Sequence, residues 1–255
     1  KKRPAAGSWL QMAEQKKSKG DGDMDVLNIT SEDCCLEPDE EQPLNEWVEY
    51  YDNVSGVKLP PALVEAARKE EIDTPKNWKP KAVWKNLPRQ KAIDEGKKPI
   101  GTRWVDINKG DDQNIIIRSR LVGQEFKRWE DEAMFAATPP YVCGIYLYSH
   151  AVTYRGRRGK RLVIMLLDVK KAFWHAEATE LIFIELPEEA IEDPDVDEVG
   201  EMQMSLYGTR SAARNWAAKY TKVFIEIGFR QGEASPCNFY NPEKDVRASI
   251  HGDDI

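Results

Sequence analysis

The sequence predicts an α+β protein, and three observations support this fold class. The stretch from Pro61 to Glu71 has helical periodicity behind a proline pair, and a second, amphipathic run with helical spacing covers residues 212–228. Between them, two β-rich runs, Gly101 to Ile107 and Ile115 to Val122, flank a Lys-Gly-Asp turn typical of a hairpin. Helices combined with antiparallel strands indicate a mixed α+β domain.

Acidic composition separates the N-terminal segment from the rest of the chain. Residues 1–57 hold six Lys and Arg against thirteen Asp and Glu, which accounts for the whole net charge of -7. A segment of this composition cannot bury enough apolar surface to offset its ordering entropy. We therefore predict a disordered acidic linker over residues 1–58 and a folded domain over residues 59–255.

Several classes of protein do not fit this sequence. The four cysteines and three histidines form neither a C-x-x-C spacing nor an H-E-x-x-H motif, so zinc sites and disulfide frameworks are not expected. The longest apolar run, near residues 142–152, is too short to span a membrane, and no signal-peptide pattern is present. A start at Lys1 and an end at Ile255 are expected to be cut ends of a longer protein, one that is neither secreted nor bound to membranes.

The second strand of the predicted hairpin carries alternating arginines. Arg118 and Arg120 flank Ser119, so both guanidinium groups project from one face of the strand. Two interpretations remain open at this point: a solvated strand face, or a cationic face that binds a ligand.

A run of six apolar residues, Leu162 to Leu167, predicts a strand buried on both faces, and it ends abruptly at Asp168. A carboxylate at the end of a core strand is costly unless a cation, a hydrogen-bond network or water receives it. A second acidic feature, Asp253 and Asp254, follows a predicted strand, turn and strand over residues 237–250. Together the three carboxylates are hard oxygen ligands suited to two Mg²⁺ ions, although surface aspartates at strand ends are the simpler alternative.

A basic run precedes the Asp168 strand. Arg155, Arg157, Arg158 and Lys160 are interspersed with glycines, a composition suited to gripping a phosphate backbone without reading its sequence. A solvated β-turn is the alternative interpretation.

The order of these motifs resembles the reverse transcriptase of copia-type retrotransposons, the Pseudoviridae branch of the Pol polyprotein. The resemblance covers roughly residues 59–255. It implies a right-hand polymerase fold with palm and fingers, truncated before the thumb. The matching stretches are Thr102 to Val105, Arg120 to Val122, Leu167 to Phe173, Ile182 to Pro187, Leu206 to Gly208 with Arg214 and Trp216, and His251 to Asp254.

The resemblance also implies roles for individual residues. Asp168, Asp253 and Asp254 match the catalytic carboxylates that bind two Mg²⁺ or Mn²⁺ ions, with Asp254 as the third ligand. The backbone from Val169 onward would lie along the nucleotide triphosphate, and Phe173 would occupy the position that excludes a ribose 2′-OH. The remaining assignments are phosphate binding by Arg118 and Arg120, and nucleic-acid binding by Arg155, Arg157, Arg158, Lys160, Arg210 and Arg214.

The function implied is that of an RNA-directed DNA polymerase. Its expected partners are an RNA template, a DNA or RNA primer and dNTPs, with an integrase upstream and a ribonuclease H downstream in the parent polyprotein. The expected location is the cytoplasm, in virus-like particles, and additionally the nucleus.

Two stretches depart from the family pattern and leave other functions open. Thr209 to Ser211 replace the family's L-K-Q, and His251-Gly252 replace an aromatic-aliphatic pair before the aspartates. One alternative is therefore a degenerate or domesticated copy that binds nucleic acid without catalysis. Another is an RNA-dependent RNA polymerase, suggested by the G-D-D sequence, although Phe173 argues against it.

Overall fold

Four helices and four small antiparallel sheets are seen in the part of the chain that the computed structural model describes, residues 48–111, 113–126, 136–156, 159 and 161–255. The mixture of helix and sheet agrees with the predicted α+β class. The predicted disorder of residues 1–47 lies outside the described residues.

The folded unit begins earlier than the sequence indicated. Strand β1 (Tyr50–Tyr51) pairs with β2 (Lys58–Leu59), within the segment predicted to be linker. Asp52 fixes the loop between them, because its carboxylate accepts hydrogen bonds from the backbone N–H groups of Val54, Ser55 and Asn108, each at 2.7 Å. These three donors hold the pKa of Asp52 at about 2. Specific polar contacts therefore order residues 48–58 at the end of the predicted linker, and the domain boundary at residue 58 stays a prediction.

Helix α1 (Pro61–Lys76) starts at a proline, whose fixed φ suits the first helical position. It buries Val64 and Ile72 completely and packs against the strand over Ile117–Gly123. The helix extends beyond the predicted Pro61 to Glu71.

The hairpin predicted from the β-rich runs is confirmed. Strands β4 (Thr102–Asn108) and β5 (Ile117–Gly123) pair antiparallel, with Trp104 opposite Leu121. Ser119 and Leu121 are buried on one face of β5, so Arg118 and Arg120 lie on the other face as predicted.

A three-stranded sheet packs on the same hydrophobic core as α1. Its order is β3 (Trp84–Pro88), β7 (Glu198–Met202) and β6 (Phe183–Glu185), with α2 (Arg89–Asp94) following β3. The acidic sequence around β7 does not show a clear strand pattern, yet Val199 in this strand is fully buried. The core between these elements is built from Ile72, Val83, Trp84, Leu121, Trp174, Ile184, Met204 and Leu206.

A second, smaller core lies around helix α4 (Ala212–Glu226). Trp216 and Tyr220 of this helix pack with Phe239 and Ile250. The sheet beside it has the order β10 (Val246–Ser249), β9 (Asn238–Asn241) and β8 (Arg230–Gln231), which confirms the predicted strand-turn-strand. Helix α3 (Tyr141–Thr153) has no buried residue, and no helix in the described ranges is long and apolar enough to cross a membrane.

The predicted core strand before Asp168 is not formed. Residues 162–167 belong to no strand, only Leu167 among them pairs with another segment, and Val163 and Leu166 are 89% and 78% exposed. The prediction was wrong because an apolar run shows that a segment can be buried, but not whether neighbouring strands are present to cover it.

Candidate active site

The adjacent aspartates sit on a tight hairpin turn. His251 and Asp254 exchange backbone hydrogen bonds of 2.8 and 3.1 Å across it. Gly252, the first central residue, has a φ of +67°, a value open to glycine without the steric cost of a Cβ atom. A single positive φ at that position is the pattern of a type II′ turn, which suits a β-hairpin. The replacement of the family's usual residue by Gly252 thus has a local structural reason.

The chain around Asp168 pairs with this turn. Leu167 and Ile255 exchange backbone hydrogen bonds of 3.0 and 2.8 Å, and the N–H of Val169 donates to the carbonyl of Asp253 at 2.8 Å. Asp168 and Asp254 lie directly opposite each other in this antiparallel pairing. Opposed residues of such a pair have Cβ atoms about 5 Å apart on one face. The structure therefore brings the three predicted carboxylates together, with Asp254 rather than Asp253 directly opposite Asp168, and their role as metal ligands stays a prediction.

Helix α4 anchors the acidic turn. The indole N–H of Trp216 donates a hydrogen bond to the carbonyl oxygen of Gly252 at 2.7 Å. Since Trp216 is only 7% exposed, the core around α4 sets the position of the turn. The sequence marked Trp216 as a motif residue but gave no sign of this contact.

The backbone after Asp168 turns sharply. Lys171 adopts a left-handed conformation, with φ 57° and ψ 41°, and caps a 3₁₀ helix over Ala172–His175. This helix presents Phe173 to Tyr207, with ring centroids 4.6 Å apart and an interplanar angle of 43°. The two rings form one aromatic surface.

The arginine face of β5 is directed towards the same aromatic surface. The guanidinium of Arg120 lies 5.7 Å from the centroid of the Tyr207 ring. Burial raises the pKa of the Tyr207 phenol, the negative charge of Asp253 raises it further, and the charges of Arg120 and Arg118 lower it. The acidic turn, the aromatic surface and the two arginines therefore share one electrostatic environment.

A buried ion pair connects the chain after Asp168 to helix α1. Lys171 bonds to Glu71, and their side chains are 11% and 7% exposed. Burial raises the pKa of Glu71 and lowers the pKa of Lys171, because desolvation penalises both charges. Sequence reasoning missed both residues, since a single Glu on a helix and the second of two lysines give no recognisable signal.

The predicted nucleic-acid-binding residues are dispersed. Arg155 is exposed and donates to the carbonyl of Val152 at 3.4 Å, while Arg157, Arg158 and Lys160 lie outside the described residues. Arg214 bonds to Glu180 at 2.7 Å. The backbone N–H of Arg210 donates to the Glu125 carboxylate at 2.8 Å.

The donor types at the turn fit a divalent cation, since carboxylate oxygens are the ligands that Mg²⁺ and Mn²⁺ prefer. The backbone pairing of Asp168 with Asp254 also brings two such donors to one place. Within the described ranges, however, no three Asp, Glu, His or Cys side chains converge as a ready cluster for a metal ion.

Paired carboxylates on a hairpin turn, facing cationic and aromatic side chains, are features of a polymerase domain. Comparison of the sequence with protein families agrees: residues 87–255 match the family described as reverse transcriptase (RNA-dependent DNA polymerase). The chain belongs to this family.

A similar curated protein makes the assignment more specific. Over 153 residues the chain is 28% identical to the "Retrovirus-related Pol polyprotein from transposon TNT 1-94" of Nicotiana tabacum. The match covers 58% of this chain and 11% of that polyprotein, so the chain spans a small part of the relative. Together the two matches confirm the predicted resemblance to a fragment of a copia-type retrotransposon reverse transcriptase. No solved structure matches the chain significantly.

Proposed function

We propose that the chain carries the nucleotidyl-transfer site of an RNA-directed DNA polymerase, which adds deoxynucleotides to a primer 3′-OH on an RNA template. The observation that carries this proposal is the antiparallel pairing of Asp168 with Asp254, which joins two carboxylates from distant parts of the chain. Membership of the reverse transcriptase family supports the same reaction.

In this proposal Asp168, Asp253 and Asp254 hold two Mg²⁺ or Mn²⁺ ions. The ions would lower the pKa of the attacking hydroxyl and neutralise the leaving pyrophosphate. Reverse transcriptases in general use divalent metals, and the carboxylate ligands of this turn suit that chemistry.

The residues around the turn would bind the nucleotide. Arg118 and Arg120 lie on the face of β5 that points away from the core, where paired N–H donors can hold phosphate oxygens. The backbone from Val169 would run along the triphosphate. Phe173, supported by Tyr207 at 4.6 Å, would meet a ribose 2′-OH and so favour deoxynucleotides.

The nucleic acid and the parent polyprotein complete the proposal. Arg155, Arg157, Arg158, Lys160, Arg210 and Arg214 would contact the phosphate backbone of an RNA template and a DNA or RNA primer. The tobacco relative is itself a Pol polyprotein, which is consistent with an integrase and a ribonuclease H encoded beside this domain in a cytoplasmic particle.

Primer extension tests the proposal. The chain, carried within the longer polyprotein segment that contains it, is assayed on poly(rA)/oligo(dT) with dTTP and Mg²⁺ or Mn²⁺. We expect Asp253→Asn to lower the rate at least about a hundredfold, a loss of about 3 kcal/mol of transition-state stabilisation. Asp73→Asn removes an equal charge from an exposed position of α1 and is the matched control.

The other outcomes separate the alternatives. Incorporation of UTP in preference to dTTP would identify an RNA-dependent RNA polymerase. Retained binding of the duplex without extension, by a folded protein, would instead identify a degenerate copy with a binding role only.

A further inference from the structure

The buried ion pair between Glu71 and Lys171 connects two parts of the chain that the sequence does not relate. Glu71 lies on α1, which precedes the family match over residues 87–255. Lys171 lies in the turn three residues after Asp168. Both side chains are almost completely buried, at 7% and 11% exposure. Helix α1 therefore reaches directly into the loop that carries Asp168.

The backbone of Lys171 depends on this contact. A left-handed φ of 57° is unfavourable for any residue with a Cβ atom, and it persists only where the surroundings hold it. Two contacts do so: the ion pair with Glu71, and the Trp174 ring, whose centroid is 4.3 Å from the Lys171 ammonium. The direction of the chain between Asp168 and Phe173 is thus fixed through the lysine side chain.

The same carboxylate interacts with the arginine strand. The backbone N–H of Leu121 and the charge of Arg120 both lower the pKa of Glu71, against the larger effect of burial, which raises it. The charges of Arg118 and Arg120 act in turn on Lys171. Glu71 thus interacts electrostatically with both Lys171 and Arg120.

We propose that Glu71 and Lys171 are positioning residues, which hold the Asp168 turn and the arginine strand at the spacing that a nucleotide triphosphate requires. This inference rests on the proposed function of the site. The pair acts through the backbone of residues 168–171 and through β5, and it does not itself bind the nucleotide.

A purely stabilising role is a weaker explanation of the pair. The desolvation of two buried charges offsets most of their attraction, so replacing both by neutral groups of similar size is often neutral for stability. An ion pair does, however, fix direction and distance more strictly than an apolar contact, because it is satisfied only in a narrow range of geometry.

The binding of dTTP and of inorganic tripolyphosphate to this chain in Mg²⁺ tests the proposal, with calorimetry for affinity and thermal unfolding for stability. The main variant is the doubly neutral Glu71→Gln/Lys171→Met, in which no buried charge is left unpaired. We expect its melting temperature to stay near that of the wild type and its affinity for both probes to fall at least about tenfold. The single variants would lose both affinity and stability, because each leaves one charge unpaired.

Two further variants separate positioning from fold. Lys171→Gly permits the left-handed turn without strain but removes the cation, so its affinity should also fall. Arg68→Met breaks another α1 ion pair, the one with Asp106 at 2.7 Å and side-chain exposures of 15% and 5%. It should lower the melting temperature and leave the affinity unchanged.

The outcomes are distinct from those of primer extension. Wild-type affinity in the folded double variant would overturn the positioning role, and so would a wild-type chain that binds neither probe. Binding that the variants weaken, in a protein that extends no primer, would support the positioning role while overturning the proposed polymerase activity.

Discussion

At the scale of single residues, burial changes the chemistry of Tyr220. The side chain is 7% exposed, and its ring packs edge-on against Trp216 and Phe239, at centroid distances of 5.6 and 6.0 Å. Burial, followed by the neighbouring Cys237 thiol, raises the pKa of the phenol to about 12. A phenolate at this position would be desolvated and lack a cation among these neighbours.

A prediction follows for alkaline pH. The folded pKa of Tyr220 lies above the ordinary value of 10.0, so its contribution to stability is complete below pH 10 and is lost as pH rises towards 12. Ultraviolet titration of the folded chain should show a phenol that ionises near pH 12, and Tyr220→Phe should remove it. Tyr141→Phe, which removes a ring that is 85% exposed, is the control. An unchanged number of phenols ionising near pH 12 in Tyr220→Phe would contradict the assignment.

Individual site residues differ in how far the sequence could identify them. Strand alternation predicted that Arg118 and Arg120 share a face, and motif order predicted that the three aspartates lie together. Glu71 could not be found, since its role depends on a contact with Lys171, one hundred positions further along the chain. Long-range contacts of this kind leave no local periodicity.

At the scale of elements, the turn at Tyr207–Gly208 is fitted closely against the end of β5. The N–H of Gly123 donates to the Tyr207 carbonyl at 2.7 Å, and Gly208 has a φ of +83°. A Cβ atom on Gly208 would stand 2.0 Å from the carbonyl oxygen of Gly123, which is backbone and cannot rotate away. Glycine is therefore required at position 208, both because φ is positive and because there is no space for a Cβ atom.

Gly208→Ala should consequently destabilise the fold by about 3 kcal/mol or more, since it combines a strained φ with a backbone clash. Urea unfolding measures the loss. Gly96→Ala is the matched control, because Gly96 also has a positive φ, +63°, but no atom within 4 Å of an added Cβ. It should cost about 1 kcal/mol, the strain of φ alone. Equal losses in the two variants would show that the close approach to Gly123 is unimportant.

Helices and strands with a strong local sequence pattern were predicted more successfully than those without one. Helix α4 and the β4–β5 hairpin have clear periods and were predicted, whereas β7 was missed because its acidic residues masked a buried Val199. The predicted strand before Asp168 was wrong for the opposite reason, because an apolar run does not show whether a neighbouring strand covers it. Both errors arise because the burial and pairing of a strand depend on residues that are distant in sequence.

At the scale of the whole molecule, an extended apolar surface stands out. Residues 164–167 and helix α3 border a groove of about 720 Å³, and Asp168, His251 and Asp254 also line it. Contiguous apolar surfaces on a soluble protein mark places where other molecules bind. The groove adjoins the acidic turn, so whatever shields this surface also changes the solvent exposure of the site.

This surface predicts dye binding by the native chain. Anilinonaphthalene sulfonate should become fluorescent with the folded protein, and Met165→Ser/Leu166→Ser should weaken the signal. Because the two side chains are 69% and 78% exposed, their replacement should change stability by only about 0.5 kcal/mol. Val54→Ser, at a 78% exposed residue of the β1–β2 loop, is the control. An unchanged signal in the double variant would place the dye elsewhere.

The pairing of Asp168 with Asp254 has a consequence for how the site opens. Three backbone hydrogen bonds join the two segments, and their N–H donors belong to Leu167, Val169 and Ile255. The carbonyl acceptors belong to Ile255, Asp253 and Leu167, so all partners lie within this short ladder. A ladder of three bonds can open locally while both cores remain folded. The amide protons of these residues should therefore exchange with solvent together and before those of the cores. Their shared exchange rate would report how often the carboxylates separate, without any need for turnover.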